Sequence, residues 1–235
     1  MSTLEAKNIT KQFGEILALN DISLSVGKNT ILGLIGPNGS GKTTFINLVT
    51  CFYATDHGDL FFNGKRINGF KPHEISRIGI GRTFQEARVF KKMTVIENVL
   101  AASPNGIGRQ SKETARDLLK FVELFDLKNE YSGNLSYGQQ KLLELARILM
   151  RDPQLILLDE PTAGINPVLI EKLLEYFRVL RDQGKTLIIV EHNIPVINDI
   201  CEKAIVLDHG QKIAEGTPEE IQRNKIVQDV YLGVG

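Results

Sequence analysis

The stretch that most narrows the folds open to this chain is Gly36-Pro37-Asn38-Gly39-Ser40-Gly41-Lys42-Thr43, followed by Thr44. It reads G-x-x-x-x-G-K-T. It stands between an apolar run at 30–35 and a segment in which Phe45, Leu48 and Val49 recur at helical spacing. A strand that ends in a glycine-rich turn and opens a helix is the phosphate-binding arrangement of parallel α/β sheets. The first backbone N–H groups of a helix lack internal acceptors, and the helix dipole is positive there, so anions settle at that end. Gly36, Gly39 and Gly41 let the backbone wrap closely around phosphates. Lys42 is placed to reach the β- and γ-phosphates, and the Thr43 hydroxyl to ligate Mg²⁺. Residues Gly36 through Thr44, with Pro37, Asn38 and Ser40 inside the turn, form the expected nucleotide-binding set.

A phosphate loop of this kind needs an acidic residue at the end of a neighbouring apolar strand to hold the magnesium shell. Leu155-Ile156-Leu157-Leu158-Asp159 supplies it, and Glu160 follows at once. Read alone, an apolar run closed by two carboxylates is an ordinary solvated strand end. Beside the phosphate loop the pair divides its work: Asp159 for the metal shell, Glu160 to accept a proton from the attacking water. The run at 187–190, followed by Glu191 and His192, repeats the construction. The carboxyl ends of parallel strands line the ligand crevice, which places His192 near the γ-phosphate. His57, His73 and His209 are read as structural or surface residues.

Strand-like alternation fills the start of the chain, with Leu4, Ala6 and Asn8 on one face and then Leu19, Ile22, Leu24 and Val26. Short strands are expected at 60–63 and 78–83. From 86 to 150 the pattern turns helical: Leu118, Leu119, Val122 and Phe125 recur at helical spacing, as do Leu142, Leu145, Ala146 and Leu149, with a loop at 103–108. After Pro153 strand and helix alternate again. Asn166 before Pro167 reads as a helix N-cap, Ile170, Leu173, Leu174 and Phe177 as that helix's buried stripe, and Thr217-Pro218-Glu219-Glu220 as a capping box. Strands are expected at 204–207 and 212–215. These segments imply a single α/β domain over 1–235, with its core in 1–85 and 151–235 and a helical insertion at 86–150. Composition agrees with one globular unit. The 28 Lys and Arg balance 28 Asp and Glu, which is not the basic profile of a nucleic-acid binder. Cys51 and Cys201 lack metal or disulfide-framework spacing and suit a reducing cytoplasm. No apolar run reaches the roughly 20 residues of a membrane span, and the N-terminus has no signal-peptide core.

Leu135-Ser136-Tyr137-Gly138-Gln139-Gln140 opens the helix before Asp159. Read locally, Ser136 is an N-cap and Gln139 its capping-box partner. The segment also resembles the LSGGQ signature of ATP-binding-cassette (ABC) ATPases, and with it essentially the whole chain resembles an ABC nucleotide-binding domain. That resemblance implies a P-loop NTPase (RecA-like) core with an N-terminal antiparallel β subdomain and an inserted α-helical subdomain. It implies that Phe13 stacks on adenine, where tyrosine is usual, and that Gln85 touches Mg²⁺ and the attacking water. It implies that Ser136, Gly138 and Gln139 meet the γ-phosphate of an opposite protomer. Asp159 takes the Walker B position, Glu160 that of the base and His192 that of the switch histidine, so that Glu160, His192, Gln85 and Lys42 are the catalytic set. Thr43, Gln85 and Asp159 are the metal set. Asn166 stands in the D-loop where aspartate is common, so that contact carries no charge here.

The segments RTFQ, FKKMTVIENV, LSYGQQ, EPTAGINP and VEHN further resemble the ATPase subunits of branched-chain amino acid uptake systems, although many of those are longer around 103–112. The resemblance implies ATP and Mg²⁺ as cofactors and a second ATP-binding subunit, identical or related. It also implies transmembrane permease subunits, a periplasmic or extracellular solute-binding protein acting indirectly, no nucleic-acid partner, and work at the cytoplasmic face of the membrane. Other readings are an ABC ATPase energising a different substrate or a non-transport process, a P-loop kinase or GTPase, and a regulatory subunit without turnover. Non-transport ABC proteins usually carry two cassettes or coiled-coil insertions, a GTPase would need an NKxD-type motif, and a kinase would not need Ser136 to Gln139. Glu160 and His192 argue for turnover.

Overall fold

The computed structural model describes residues 2–232. Two long strands, β1 (Ser2–Phe13) and β2 (Ile16–Gly27), pair antiparallel across a turn at Gly14 and Glu15. β3 (Ile31–Ile35) runs into the glycine-rich loop and α1 (Lys42–Val49). β4 (His57–Phe62) and β5 (Lys65–Arg66) return to β1, giving a first sheet of order β2-β1-β4-β5. α2 (Pro72–Arg77) and β6 (Ile80–Arg82) come next, followed by α3 (Val95–Leu100), α4 (Arg109–Phe121) and α5 (Tyr137–Leu149). β7 (Leu155–Asp159), α6 (Pro167–Asp182), β8 (Thr186–Val190), α7 (Ile194–Ile200) and β9 (Lys203–Asp208) then alternate, and β10 (Gln211–Gly216), α8 (Pro218–Arg223) and α9 (Lys225–Leu232) follow. The second sheet has the order β10-β9-β3-β8-β7-β6 and is parallel except at β10.

The second sheet is covered on both faces at its centre, which is why β3, β7, β8 and most of β9 are buried runs rather than alternating with polar residues, while the edge strands β6 and β10 are more polar. Leu32, Leu34, Leu155, Leu157, Ile188, Val190, Ile205 and Leu207 face a core shared with α1 and the first sheet. Their neighbours Ile31, Ile35, Ile156, Leu158, Leu187, Ile189, Ala204 and Val206 face the opposite core, which also holds the buried stripes of α3 through α7. Each strand therefore serves two cores with its two side-chain sets, and the strand ends are held from both sides.

Several helix starts follow the local sequence. The Ser136 hydroxyl accepts from the Gln139 N–H at 3.3 Å, while the Gln139 carboxamide oxygen accepts from the Ser136 N–H at 2.9 Å. Asn166 accepts from the Leu169 N–H at 2.9 Å, with Pro167 in the first helical position. Thr217 and Glu220 make the reciprocal pair that the sequence implies.

Three expectations are corrected. Asn8 does not share the buried face of Leu4 and Ala6: a bulge between Ala6 and Ile9 puts Ile9 there instead. Asn8 takes a φ of 51°, and its amide donates to Asp21 at 2.8 Å. Ile78 does not begin a strand but caps α2, which starts at Lys71-Pro72 with Glu74 accepting from the Lys71 N–H at 2.8 Å. Phe125 does not continue a helical stripe, because α4 ends at Phe121 and Glu123 turns to a φ of 55°. Phe125 lies in a 3₁₀ turn (Phe125–Leu127) and packs against the same core.

Candidate active site

β3 lies at the middle of its sheet, and the loop after it is shaped by backbone contacts that exclude side chains. A Cβ on Gly36, whose φ is 147°, would lie 2.0 Å from the Leu207 carbonyl oxygen. One on Gly41, with φ of 103°, would lie 2.6 Å from the Ala18 oxygen. The loop is thus wedged between β9 and β2 with no room for anything larger. Ser40 donates its N–H to Pro37 O at 3.2 Å, and its own carbonyl accepts from the Gly210 N–H at 3.2 Å. Lys42 folds its ammonium back into the loop, donating to Gly36 O and Pro37 O at 2.7 Å each. Burial pulls its pKa below the usual lysine range, while Glu160 and Asp159 pull it back up.

Asn38, Gly39, Ser40, Gly41, Lys42, Thr43 and Thr44 line one cleft of about 330 Å³ together with Glu160. Thr43 also opens onto an adjoining cleft of about 880 Å³ that holds Gln85, Asp159 and Tyr137. The two clefts bring together the loop, both acidic strand-end residues and the glutamine. Gln85 Nε2 donates to Glu160 Oε2 at 3.0 Å, and His192 Nδ1 stands 4.0 Å from Glu160 Oε1. Glu160 has a φ of 47°, a left-handed conformation costing a non-glycine residue about 1–3 kcal/mol, and its N–H donates to Val190 O at 2.9 Å. Asp159 is buried, and burial raises its pKa, with Arg82 opposing the shift.

Three contributors were not visible in the sequence. Arg82 donates to Asp159 Oδ2 at 3.1 Å and to Asn47 Oδ1 at 2.6 Å, orienting the carboxylate. Lys141, one turn into α5, donates to Glu160 O at 2.9 Å and Pro161 O at 3.3 Å. Glu191, wholly buried, accepts from Thr162 and from the His192 N–H. Arg82 and Glu191 lie inside motifs noted for their neighbours, and their partners are far away in sequence. Ile16, Leu17 and His209 also border the loop cleft.

Phe13 borders neither cleft. It sits at the tip of the β1–β2 hairpin opposite Ile16, edge-on to Tyr53 at 5.1 Å with the Lys11 ammonium 5.2 Å from its ring. Ser136, Gly138 and Gln139 lie at the start of α5 and line neither cleft. Between them Tyr137 reaches the second cleft and donates to Gln85 O at 3.2 Å. A Cβ on Gly138 would stand 2.2 Å from Leu169 Cδ2, the movable end of a side chain on α6.

The donors fit a small, hard cation. Thr43, Gln85 and Asp159 offer oxygen and border one cleft beside the phosphate loop, which suits Mg²⁺ held by one carboxylate and completed by phosphate and water. Among the described residues there is no group of three or more His, Cys, Asp or Glu side chains that could hold a metal ion.

A parallel sheet with a glycine-rich loop at its centre and acidic residues at adjacent strand ends defines the P-loop NTPase class of fold. Residues 19–163 match the family described as ABC transporter, and residues 211–235 match that described as branched-chain amino acid ATP-binding cassette transporter. A probable branched-chain amino acid transport ATP-binding protein LivG of Archaeoglobus fulgidus is 44% identical, over 99% of this chain and 96% of its own. The lipopolysaccharide export ATP-binding protein LptB of Haemophilus influenzae is 35% identical, over 99% and 98%. Among solved structures, an ATP-binding cassette of an ABC transporter in its ADP conformation superimposes with a TM-score of 0.92 at 36% identity, covering 99% of both chains. The chain belongs to the ABC transporter ATP-binding family and is an ATPase.

Proposed function

We propose that this chain hydrolyses ATP to drive solute import, most simply of branched-chain or related amino acids, as one half of a nucleotide-sandwiched pair at the cytoplasmic face of a membrane. The observation that carries the hydrolytic reading is Glu160: a carboxylate beside the phosphate loop, held by Gln85 and approached by His192. Glu160 accepts the proton of the attacking water, and Gln85 fixes the carboxylate's orientation. Lys42 exchanges its two loop carbonyls for phosphate oxygens. Bound Mg²⁺ would add Lewis-acid polarisation of the phosphate oxygens, held by Thr43, Gln85 and Asp159. Phe13 contributes to the adenine side from the hairpin tip. Ser136, Gly138 and Gln139 line neither cleft of their own chain, which supports the reading that they serve the partner's nucleotide. Neither protomer then completes a site alone, so ATP joins two copies or two related chains, and hydrolysis releases them.

The segment 86–150 is the lobe that meets the membrane partners. A groove of about 570 Å³ runs along it, lined by Phe84, Phe90, Glu144, Arg147, Ile148 and Pro153 among others. Among the described residues, the buried side-chain nitrogens without a hydrogen-bond partner are Nε of Arg82, Arg147 and Arg151, and all three residues line this groove. The apolar lining of the groove and these three arginine residues on its wall support a permease segment that brings apolar side chains and a carboxylate. No helix among the described residues is long and apolar enough to cross a membrane, so the transport path belongs to other chains.

The amino acid assignment draws on the match of residues 211–235 and on the LivG relative. The likeness to a lipopolysaccharide export subunit favours a second reading, an ABC ATPase serving another substrate. Isolating the native complex, identifying its co-purifying membrane chains and measuring ATP hydrolysis in vesicles separates them. Stimulation by leucine, isoleucine or valine with the cognate solute-binding protein is the expected result. Stimulation by an unrelated solute alone would overturn the amino acid reading.

A further inference from the structure

Glu160 sits in left-handed backbone, so the turn it begins must be held by its surroundings. Lys141 fastens the first part of that turn through the carbonyls of Glu160 and Pro161. The next residue is fastened differently. Thr162 donates both its N–H, at 3.0 Å, and its hydroxyl, at 2.5 Å, to the same oxygen of Glu191. The other Glu191 oxygen accepts the His192 N–H at 3.3 Å. Glu191 has no solvent exposure, and Thr162 retains 5%. A carboxylate stripped of water is costly unless its lone pairs are filled and a cation lies near. Here three donors fill it, and the Lys141 ammonium is close enough for Glu191 to raise its pKa.

One buried side chain thus joins the turn after Glu160 to the strand end that carries His192. We propose that Glu191 is a positioning residue for hydrolysis: its carboxylate, clamped by Thr162 and bonded to the His192 backbone, holds the Glu160 turn and His192 in one frame. The side chain lines neither cleft and touches no reacting atom, so it acts through the placement of its neighbours. This rests on the roles given above to Glu160 and His192.

The test is steady-state ATP hydrolysis by the full chain carrying Glu191→Gln, Thr162→Val, Thr162→Ser, His192→Ala, or Glu191→Gln with His192→Ala. Thr162→Val keeps the shape and removes the hydroxyl donor, while Thr162→Ser keeps it. Glu191→Gln and Thr162→Val are expected to lower kcat by about 10- to 100-fold. KM for ATP should stay within about two-fold, Thr162→Ser should recover most of the rate, and the loss in the double variant should fall short of the product of the two single losses, because Glu191 acts partly through His192 and partly through the Glu160 turn. Wild-type kcat in Thr162→Val or in Glu191→Gln would overturn the proposal, as would a full multiplicative loss in the double variant. If Glu191→Gln does not fold, the contrast between Thr162→Val and Thr162→Ser decides. If His192→Ala hydrolyses at the wild-type rate, the role of His192 falls, and that same threonine contrast still decides whether the clamp positions Glu160.

Discussion

Lys42 shows how one side chain serves two states. With its ammonium on Gly36 O and Pro37 O it closes the loop on itself, and burial already makes its charge costly. A phosphate arriving at the loop gives that charge a better partner than two carbonyls. Lys42→Ala should therefore weaken nucleotide binding at least about 100-fold, a loss typical of a buried charged contact. Titration with a fluorescent ATP analogue reads it, and an unchanged Kd would contradict the role. Glu160 differs in kind, since its loss should spare binding and remove the proton acceptor. Glu160→Gln is expected to bind ATP with near wild-type affinity and to hydrolyse it about 100- to 10,000-fold more slowly. A rate within a few-fold of wild type would mean another group takes the proton.

At the scale of elements, caps and buried charges set the terms. Asn166 is the only side-chain cap on α6, whose buried face packs under the sheet. Asn166→Ala should cost about 1 kcal/mol, lowering Tm by roughly 2–4 °C. A calorimetric scan with no shift would mean that packing alone sets the helix start. Glu144 in α5 carries a pH signature. Burial holds its carboxyl above the usual range, against the pull of hydrogen bonds from the Arg88 and Phe84 backbone and of the Arg147 and Lys141 charges. The folded chain therefore keeps this proton to higher pH than the unfolded chain. Glu144 costs nothing below the unfolded value of about 4.3 and becomes a liability as pH rises through its folded value. Glu144→Gln should raise Tm at pH 8 and leave it unchanged near pH 4, as read by thermal melts at both. An equal gain at both would refute the protonation argument.

Helix starts at Ser136 and Thr217 were legible because a cap and its capping-box partner lie three residues apart, and the start at Asn166 because proline follows it. α2 was not, because its six residues carry no full apolar period and its start is a lysine. The bulge at Asn8 depends on a residue across the hairpin, Asp21, and no local pattern signals it. The loop, Asp159, Glu160 and His192 announced themselves as motifs at strand ends. Arg82, Lys141 and Glu191 did not, because their contacts depend on how β6, β7, β8 and α5 come together from remote segments.

For the whole molecule the central question is whether one chain is enough. Ser136, Gly138 and Gln139 at the start of α5 line neither cleft of their own chain, so the complete site is expected only in a pair. A Glu160→Gln chain with Mg-ATP should elute from a sizing column as a dimer and revert to monomer when nucleotide is withdrawn. A monomer at every concentration tested would contradict the shared site.

The central place of β3 also bears on how the molecule comes into being. Its partners in the sheet are β8 and β9, which the ribosome makes last among the parallel strands, while the loop that β3 feeds is made among the first. Leu32 waits for Ile188 on one side and Lys203 on the other. The Cβ-free wedge of Gly36 against Leu207 cannot form before then. A nascent chain thus carries the whole phosphate motif through most of its synthesis without the means to shape it. Long-range pairing of this sort is slow and leaves apolar strands uncovered meanwhile. Nucleotide affinity then arrives late and all at once, and a chain that binds ATP is one whose distant segments have already met.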